Sequence, residues 1–309
     1  MIATAEQVEP QQMHPALAAA LPLLHPGAQR WLPRLLHPML ATSWPSVAWR
    51  WSRLTPTWFP VELSVAAGSA TSRYACEVGP PEMPASHRLA HTMRLLHDWG
   101  RIGDDAPAPL AAAAWRRRRS VHDSPMQWGA WIGGRHDDSG DRFKVYVEVP
   151  PGERCEVVAE VGAWLADRAG QGLPGTPTMM GIDLSGGRCE WYLEPGRIDR
   201  DDVRRFAGPA TLALLDELAG RAWYPTDTAF SLAGRRGEQP VATVIVGANR
   251  LLGDDSKVAE RLRLVADRHG LHWGAYDALR VASAGRRAHC LLAVSAQPEP
   301  AMCIGLCPA

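Results

Sequence analysis

Cations and phenols recur at strand-like spacing in this sequence. Lys144 and Tyr146 stand two apart in Phe143-Lys144-Val145-Tyr146, and Arg188, Glu190 and Tyr192 alternate in Arg188-Cys189-Glu190-Trp191-Tyr192. Upstream, Glu62 alternates with Ser64, and Arg73 with Ala75. Successive side chains of a strand point to opposite faces, so the polar members of each run share one face and Val145, Val147 and Leu193 take the other. The apolar face suits covering helices, which turns the polar face inward. Buried Lys and Arg cannot stand unpaired there, because each isolated charge costs several kcal/mol. Arg73, Lys144 and Arg188, with too few buried carboxylates to neutralise them, require a strongly anionic partner. A diphosphate satisfies that requirement. Tyr146 and Tyr192 follow one step deeper on the same wall, where aromatic faces stabilise a carbocation and shield it from water. Glu62 is the lone inward carboxylate of its strand.

A repeat positions these residues. Its unit is an extended apolar run, a polar turn containing Gly, a second extended run and an amphipathic helix. The strands are expected at 61–66 and 72–78, 126–132 and 143–149, 178–184 and 189–193, and 228–232 and 241–246. The expected helices are 86–99, 152–169, 201–218 and 256–269. A fifth unit runs 273–281, turns at Gly285 and ends at 289–294 without a helix. Asp199 or Asp201, and Asp254 or Asp255, stand where helix N-caps belong, and Gly170, Gly220 and Gly270 where helices end. Ten strands in five hairpins predict an α/β fold: a ten-stranded antiparallel barrel ringed by helices, wide enough for a ligand cavity. The alternative closure is a pseudo-fivefold α/β propeller. Residues 1–57 read as a helical preface, with helices around 15–24 and 29–39 and then Trp44, Trp49, Trp51 and Trp58 packed on the barrel wall. Residues 58–296 form the barrel, and 297–309 a tail carrying Cys303 and Cys307. An Ala-rich insert at 101–120 ends in Arg116–Arg119, read as a solvated helix end.

With these motifs in order, the chain resembles the barrel-shaped ABBA-type aromatic prenyltransferases over about residues 58–295. Pro60-Val61-Glu62-Leu63-Ser64 looks like the family's P-x-E-x-S strand, Arg73-Tyr74-Ala75 like its first arginine strand, Phe143-Lys144-Val145-Tyr146 like its K-x-Y strand, and Arg188 to Tyr192 like its R-x-K-x-Y strand. The resemblance implies transfer of a geranyl or dimethylallyl group from its diphosphate to an aromatic or other nucleophilic side chain. It implies Glu62 as base, Arg73, Lys144 and Arg188 on the diphosphate, and Tyr146 and Tyr192 as cation shield. Glu190 stands where indole enzymes of the family have Lys, and E-x-Y there is closer to the cyanobactin-type peptide prenyltransferases. The expected acceptor is therefore a peptide or an amino-acid-derived natural product. Glu190, Thr243, Ile245, His289 and Leu291 are the expected pocket lining, and small residues in place of tyrosines in the later repeats favour the ten-carbon donor. Mg²⁺ is expected to assist diphosphate binding, with no protein ligand named.

The remaining features narrow the function by exclusion. The 309 residues carry no formal net charge, which gives no electrostatic case for nucleic acid or an anionic membrane. No signal peptide or run of 18 apolar residues is present, and the dispersed cysteines suit a reduced cytoplasmic protein. Asp137-Asp138-Ser139-Gly140-Asp141 spells DDxxD, but Ser139-Gly140 predicts a hairpin turn rather than a helical metal site. Two rival functions are a propeller-type guanidine-modifying hydrolase, which would need a catalytic Cys, and a barrel that only binds a hydrophobic ligand.

Overall fold

A computed structural model describes residues 13–40, 51–103, 108–120, 126–164, 173–194, 198–220, 228–235, 238–283, 288–296 and 299–308. Ten strands follow the chain: β1 Val61–Ala66, β2 Ser72–Glu77, β3 Ala130–Asp137, β4 Gly140–Glu148, β5 Thr176–Asp183, β6 Cys189–Glu194, β7 Thr228–Gly234, β8 Val241–Gly247, β9 His289–Ser295 and β10 Ala301–Leu306. Each pairs antiparallel with its sequence neighbours, and β10 returns to β1, so the sheet is a closed barrel with no edge. This closure excludes the propeller.

Alternation builds the wall. On β8, Ala242, Val244 and Val246 are buried outward, while Val241, Thr243 and Ile245 are half-exposed inward. The outward residues make the core with a helical shell: α1 Pro15–Ala20, α2 Pro26–Leu40, α3 Ala85–Asp98, α4 Ala108–Ser120, α5 Arg154–Trp164, α6 Arg200–Phe206, α7 Pro209–Ala219, α8 Ala248–Leu252, α9 Asp255–Arg268 and α10 Tyr276–Ala282. Caps fix the helix starts. Asp199 accepts from the amides of Asp201 and Asp202 in a capping box, and Asp254 accepts from those of Ser256 and Lys257. Buried Glu77, at the end of β2, accepts from Ser52 Oγ (2.6 Å) and pairs with Arg88 of α3 (3.2 Å), locking the preface to the wall.

Three expectations are corrected here. The span 273–281 is not a strand: Tyr276 and Leu279, three apart and both buried, lie on one side of α10. The span 297–309 is not a tail, because it contains β10, the strand that closes the barrel. β3 begins four residues later than expected and runs through Gly133-Gly134, where the sequence predicts a turn. The cysteines differ as well, since Cys290 and Cys307 form a disulfide. Among the tryptophans, Trp51 packs against the core, whereas Trp58 is 53% exposed; Trp44 and Trp49 lie outside the described residues. The side chains of Arg116–Arg119 lie outside them too.

Candidate active site

The barrel encloses a cavity of ≈ 420 Å³. Many of the polar groups in and around it fall on three adjoining rungs of the strand ladder. One rung runs Ser64, Arg73, Arg135, Arg142 across β1 to β4. The next runs Glu62, Ala75, Gly133, Lys144, Asp183. The third runs Glu77, Trp131, Tyr146, Gly181, Glu190.

The arginine rung is electrostatically frustrated, since like charges directly opposite one another destabilise a sheet. Arg142 finds Asp137 of its own hairpin. Arg73 and Arg135 make no ion pair among the described residues, and Arg73 Nε is buried without a hydrogen-bond partner. Burial lowers the pKa of Arg73; the Cys303 thiol opposes this, and the Arg135 and Arg142 guanidiniums add to it. Burial also acts to lower Arg135, but Tyr146, Glu190 and Tyr192 outweigh it, so its charged form is favoured. Two adjacent guanidiniums in a lumen, neither in an ion pair among the described residues, suit a polyanion.

Lys144 lies one rung deeper. Its ammonium pairs with Glu190, donates to Tyr192 Oη (3.2 Å), and lies 4.9 Å and 5.3 Å from the ring centres of Tyr146 and Tyr192. Those two rings are 6.0 Å apart, so the ammonium sits where an aromatic cage holds a cation. Burial raises the Glu190 carboxyl, but the Lys144 charge and its hydrogen bond hold it at about 2. Gly181 makes this possible: a Cβ there would overlap Lys144 Cε.

Glu62 is held differently. Ser64 Oγ donates to its carboxylate (3.1 Å), yet burial dominates and pushes its pKa up to about 7. A Cβ on Gly305 of β10 would lie 2.6 Å from the Glu62 carboxyl carbon, so Gly305 keeps that space open. Gly305→Ala is expected to displace the carboxylate, the free end of a flexible side chain, and so lower turnover by about 10²-fold while shifting Tm little. Kinetics beside a thermal melt checks this.

The structure brings Glu62, Arg73, Lys144, Tyr146, Glu190, Tyr192, Thr243 and Ile245 into one cavity lining. It does not bring in three other expected residues. Arg188 is exposed in the turn before β6 and is not among the lining residues. His289 faces outward, where its Nδ1 meets Asp255 (2.6 Å) and its Nε2 meets Tyr276 Oη (2.7 Å), tying β9 to α9 and α10. Leu291 is 38% exposed outside the lining; Ala293 and Ser295 line the cavity from β9 instead. Sequence reasoning missed Arg135, Cys303 and Gly305. The first was hidden in a supposed turn and the others in a supposed tail. The alternation of Met302, Ile304 and Leu306 with Cys303 and Gly305 was the available signal for β10.

Among the described residues, no group of three or more His, Cys, Asp or Glu could hold an ion. In the DDxxD segment, Asp137 accepts from Thr71 Oγ1 (2.9 Å), whereas Asp141 accepts from Trp31 Nε1 (2.7 Å) and meets His136 (2.8 Å). Among the described residues, the cavity lining holds two carboxylates, Glu62 and Glu190, against the cations Arg73, Arg135 and Lys144, and burial raises Glu62 to about 7, so the donor set does not fit the expected Mg²⁺ and no step is routed through it.

By sequence, no protein-family model and no curated protein matches the chain. By structure, its neighbours are aromatic prenyltransferases, and its fold is the ABBA prenyltransferase barrel. A 5-dimethylallyltryptophan synthase from Streptomyces coelicolor aligns with TM-score 0.77 at 15% identity, over 97% of this chain and 96% of that one. A 6-dimethylallyl tryptophan synthase aligns with TM-score 0.73 at 19% identity, over 99% and 96%. The prenyltransferase PriB, in a ternary complex with L-tryptophan and dimethylallyl thiolodiphosphate, aligns with TM-score 0.73 at 14% identity, over 95% of each chain.

Proposed function

We propose that this protein transfers a prenyl group from its diphosphate to an aromatic acceptor derived from an amino acid or borne on a peptide. The observation that carries the reading is the convergence, in one closed lumen, of Arg73 and Arg135, neither ion-paired among the described residues, the Tyr146–Tyr192 cage and a carboxyl with a pKa of about 7. The two arginines hold the diphosphate and stabilise it as the C–O bond breaks and the electron pair leaves with oxygen. The allylic cation forms against the tyrosine faces. The acceptor ring supplies the electron pair for the new bond, and its proton passes to Glu62. A barrel that only bound an apolar ligand would gain nothing from half-buried guanidiniums without an ion pair. Intact-mass analysis tests the reading directly. The protein is incubated with dimethylallyl or geranyl diphosphate and a panel beginning with L-tryptophan, then other aromatic amino acids and short peptides; no mass gain on any acceptor would overturn it.

The donor is expected to be the ten-carbon one. The wall formed by β7 to β10 is mostly small, with Ser231, Ala233, Thr243, Ala293, Ser295, Ala301 and Cys303 beside the larger Ile245 and Met302. Each further CH₂ buried contributes about 0.8 kcal/mol, so room for a second isoprene unit favours geranyl by several kcal/mol. In competition at equal concentration, the geranyl product should dominate. Predominant dimethylallyl transfer would show that the pocket is closed to a second isoprene unit and overturn the ten-carbon expectation.

A further inference from the structure

Lys144 stands in the space that the proposed chemistry needs. Its ammonium lies over both Tyr146 and Tyr192, and a cation cage 6.0 Å across cannot hold an ammonium and an allyl group together. Two of its three N–H donors are engaged, by Glu190 and by Tyr192 Oη. We infer that Glu190 is an exchangeable counterion: it parks Lys144 between the tyrosines while the barrel is empty and yields it to the diphosphate, which clears the cage for the prenyl chain. This rests on the donor reading above and gives Glu190 a role as a positioning residue.

The parts suit the exchange. Lys144 is a point charge on a flexible four-carbon stem and can change partners without the planar matching an arginine needs. The parked position is built in, because Gly181 leaves room for the lysine stem against β5. The destination is close, since Gly133, the direct cross-strand partner of Lys144, is two residues from Arg135 on β3. Glu190 is not abandoned when Lys144 leaves, because Arg135 lowers the Glu190 pKa through its charge and remains in the lumen. The cost of breaking the pair falls on the first anion to arrive, so the apparent affinity is reduced by the fraction of protein in which Lys144 is still parked.

Calorimetric titration with inorganic pyrophosphate tests this without requiring a known acceptor. Glu190→Gln is expected to bind pyrophosphate about tenfold more tightly than wild type, and the gain should vanish in a Lys144→Gln background. Glu190→Asp, which keeps the charge but shortens its reach, should tighten binding in the same sense by a smaller factor and covers the case in which the glutamine variant does not fold. Equal or weaker binding in a folded Glu190 variant overturns the exchange. So does a gain of the same size without Lys144, which would be a general field effect on Arg73 and Arg135. If wild type binds pyrophosphate and no coupling appears, only this inference falls; if wild type does not bind it, the donor reading falls as well.

Discussion

Glu62→Gln is expected to lower prenyl transfer by about 10²–10⁴-fold while leaving binding of an unreactive thiolodiphosphate donor near the wild-type value. The substitution keeps the shape of the side chain and its contact with Ser64 but removes the atom that accepts the acceptor's proton. A base works best with a pKa near the operating pH, and burial holds Glu62 at about 7. The rate should therefore rise with pH through neutrality and then level. The same shift has a stability consequence of defined sign. Between the ordinary value of 4.5 and about 7, the folded state holds a proton on Glu62 that the unfolded chain has released. Stability from this group thus falls as pH rises across that window and is constant above it. Glu62→Gln, with nothing to titrate, should lose that slope, so denaturation at pH 5 and pH 8 would show the variant gaining on wild type at the higher pH. Near-normal turnover in the variant would remove Glu62 as the base.

How much of this is legible in the sequence follows from where period-two alternation holds. It is clean on β1, β2, β4, β6 and β8, and there the inward assignments of Glu62, Arg73, Lys144, Glu190, Tyr192, Thr243 and Ile245 match the cavity lining. The closed ten-stranded barrel follows from counting hairpins, although the fifth hairpin is built from different segments than expected. Residues 273–281 offer apolar side chains at a spacing that a short strand and a short helix share, and burial of Tyr276 and Leu279 on one side decides for the helix. Gly133-Gly134 is ordinarily punctuation. Here the pair sits mid-strand because a Cβ at Gly133 would lie 2.9 Å from the Tyr146 ring, and one at Gly134 would overlap the Tyr74 ring. That misplacement conceals Arg135, two residues on. Arg188 fails for the opposite reason: β6 and its alternation start at Cys189, and Arg188 lies in the connection before it, where facing no longer follows the pleat. The partner of Lys144 is also out of reach, because sequence places Lys144 and Glu190 on inward faces but does not give the register, in which Lys144 pairs with Asp183 and Glu190 with Gly181 on the intervening β5, where the missing side chain lets the two meet.

Arg73→Gln and Arg135→Gln should each weaken binding of the thiolodiphosphate donor by about 2–4 kcal/mol, the strength of a charge-assisted hydrogen bond to an anion inside a low-dielectric cavity. Their effects on the empty protein should differ. Arg73 sits in a disfavouring field: it is half-buried, Arg135 faces it directly across the ladder, and its buried Nε has no acceptor. Replacing it removes a cross-strand repulsion, so ligand-free stability should hold or rise by up to about 1 kcal/mol. Arg135 sits in a favouring field, with Glu190 and the two tyrosines nearby, and it helps balance the Glu190 charge. Its removal should leave ligand-free stability unchanged or lower. Chemical denaturation of the two variants without ligand, beside calorimetry with the analogue, reads both quantities. A residue kept only for structure should lose stability when truncated and leave binding alone. If Arg73→Gln behaves in that way, the rung of arginines is not the diphosphate site. If it binds poorly yet unfolds later than wild type, Arg73 is kept for its ligand at the expense of the fold, which is the expected signature of a charge that waits for an anion.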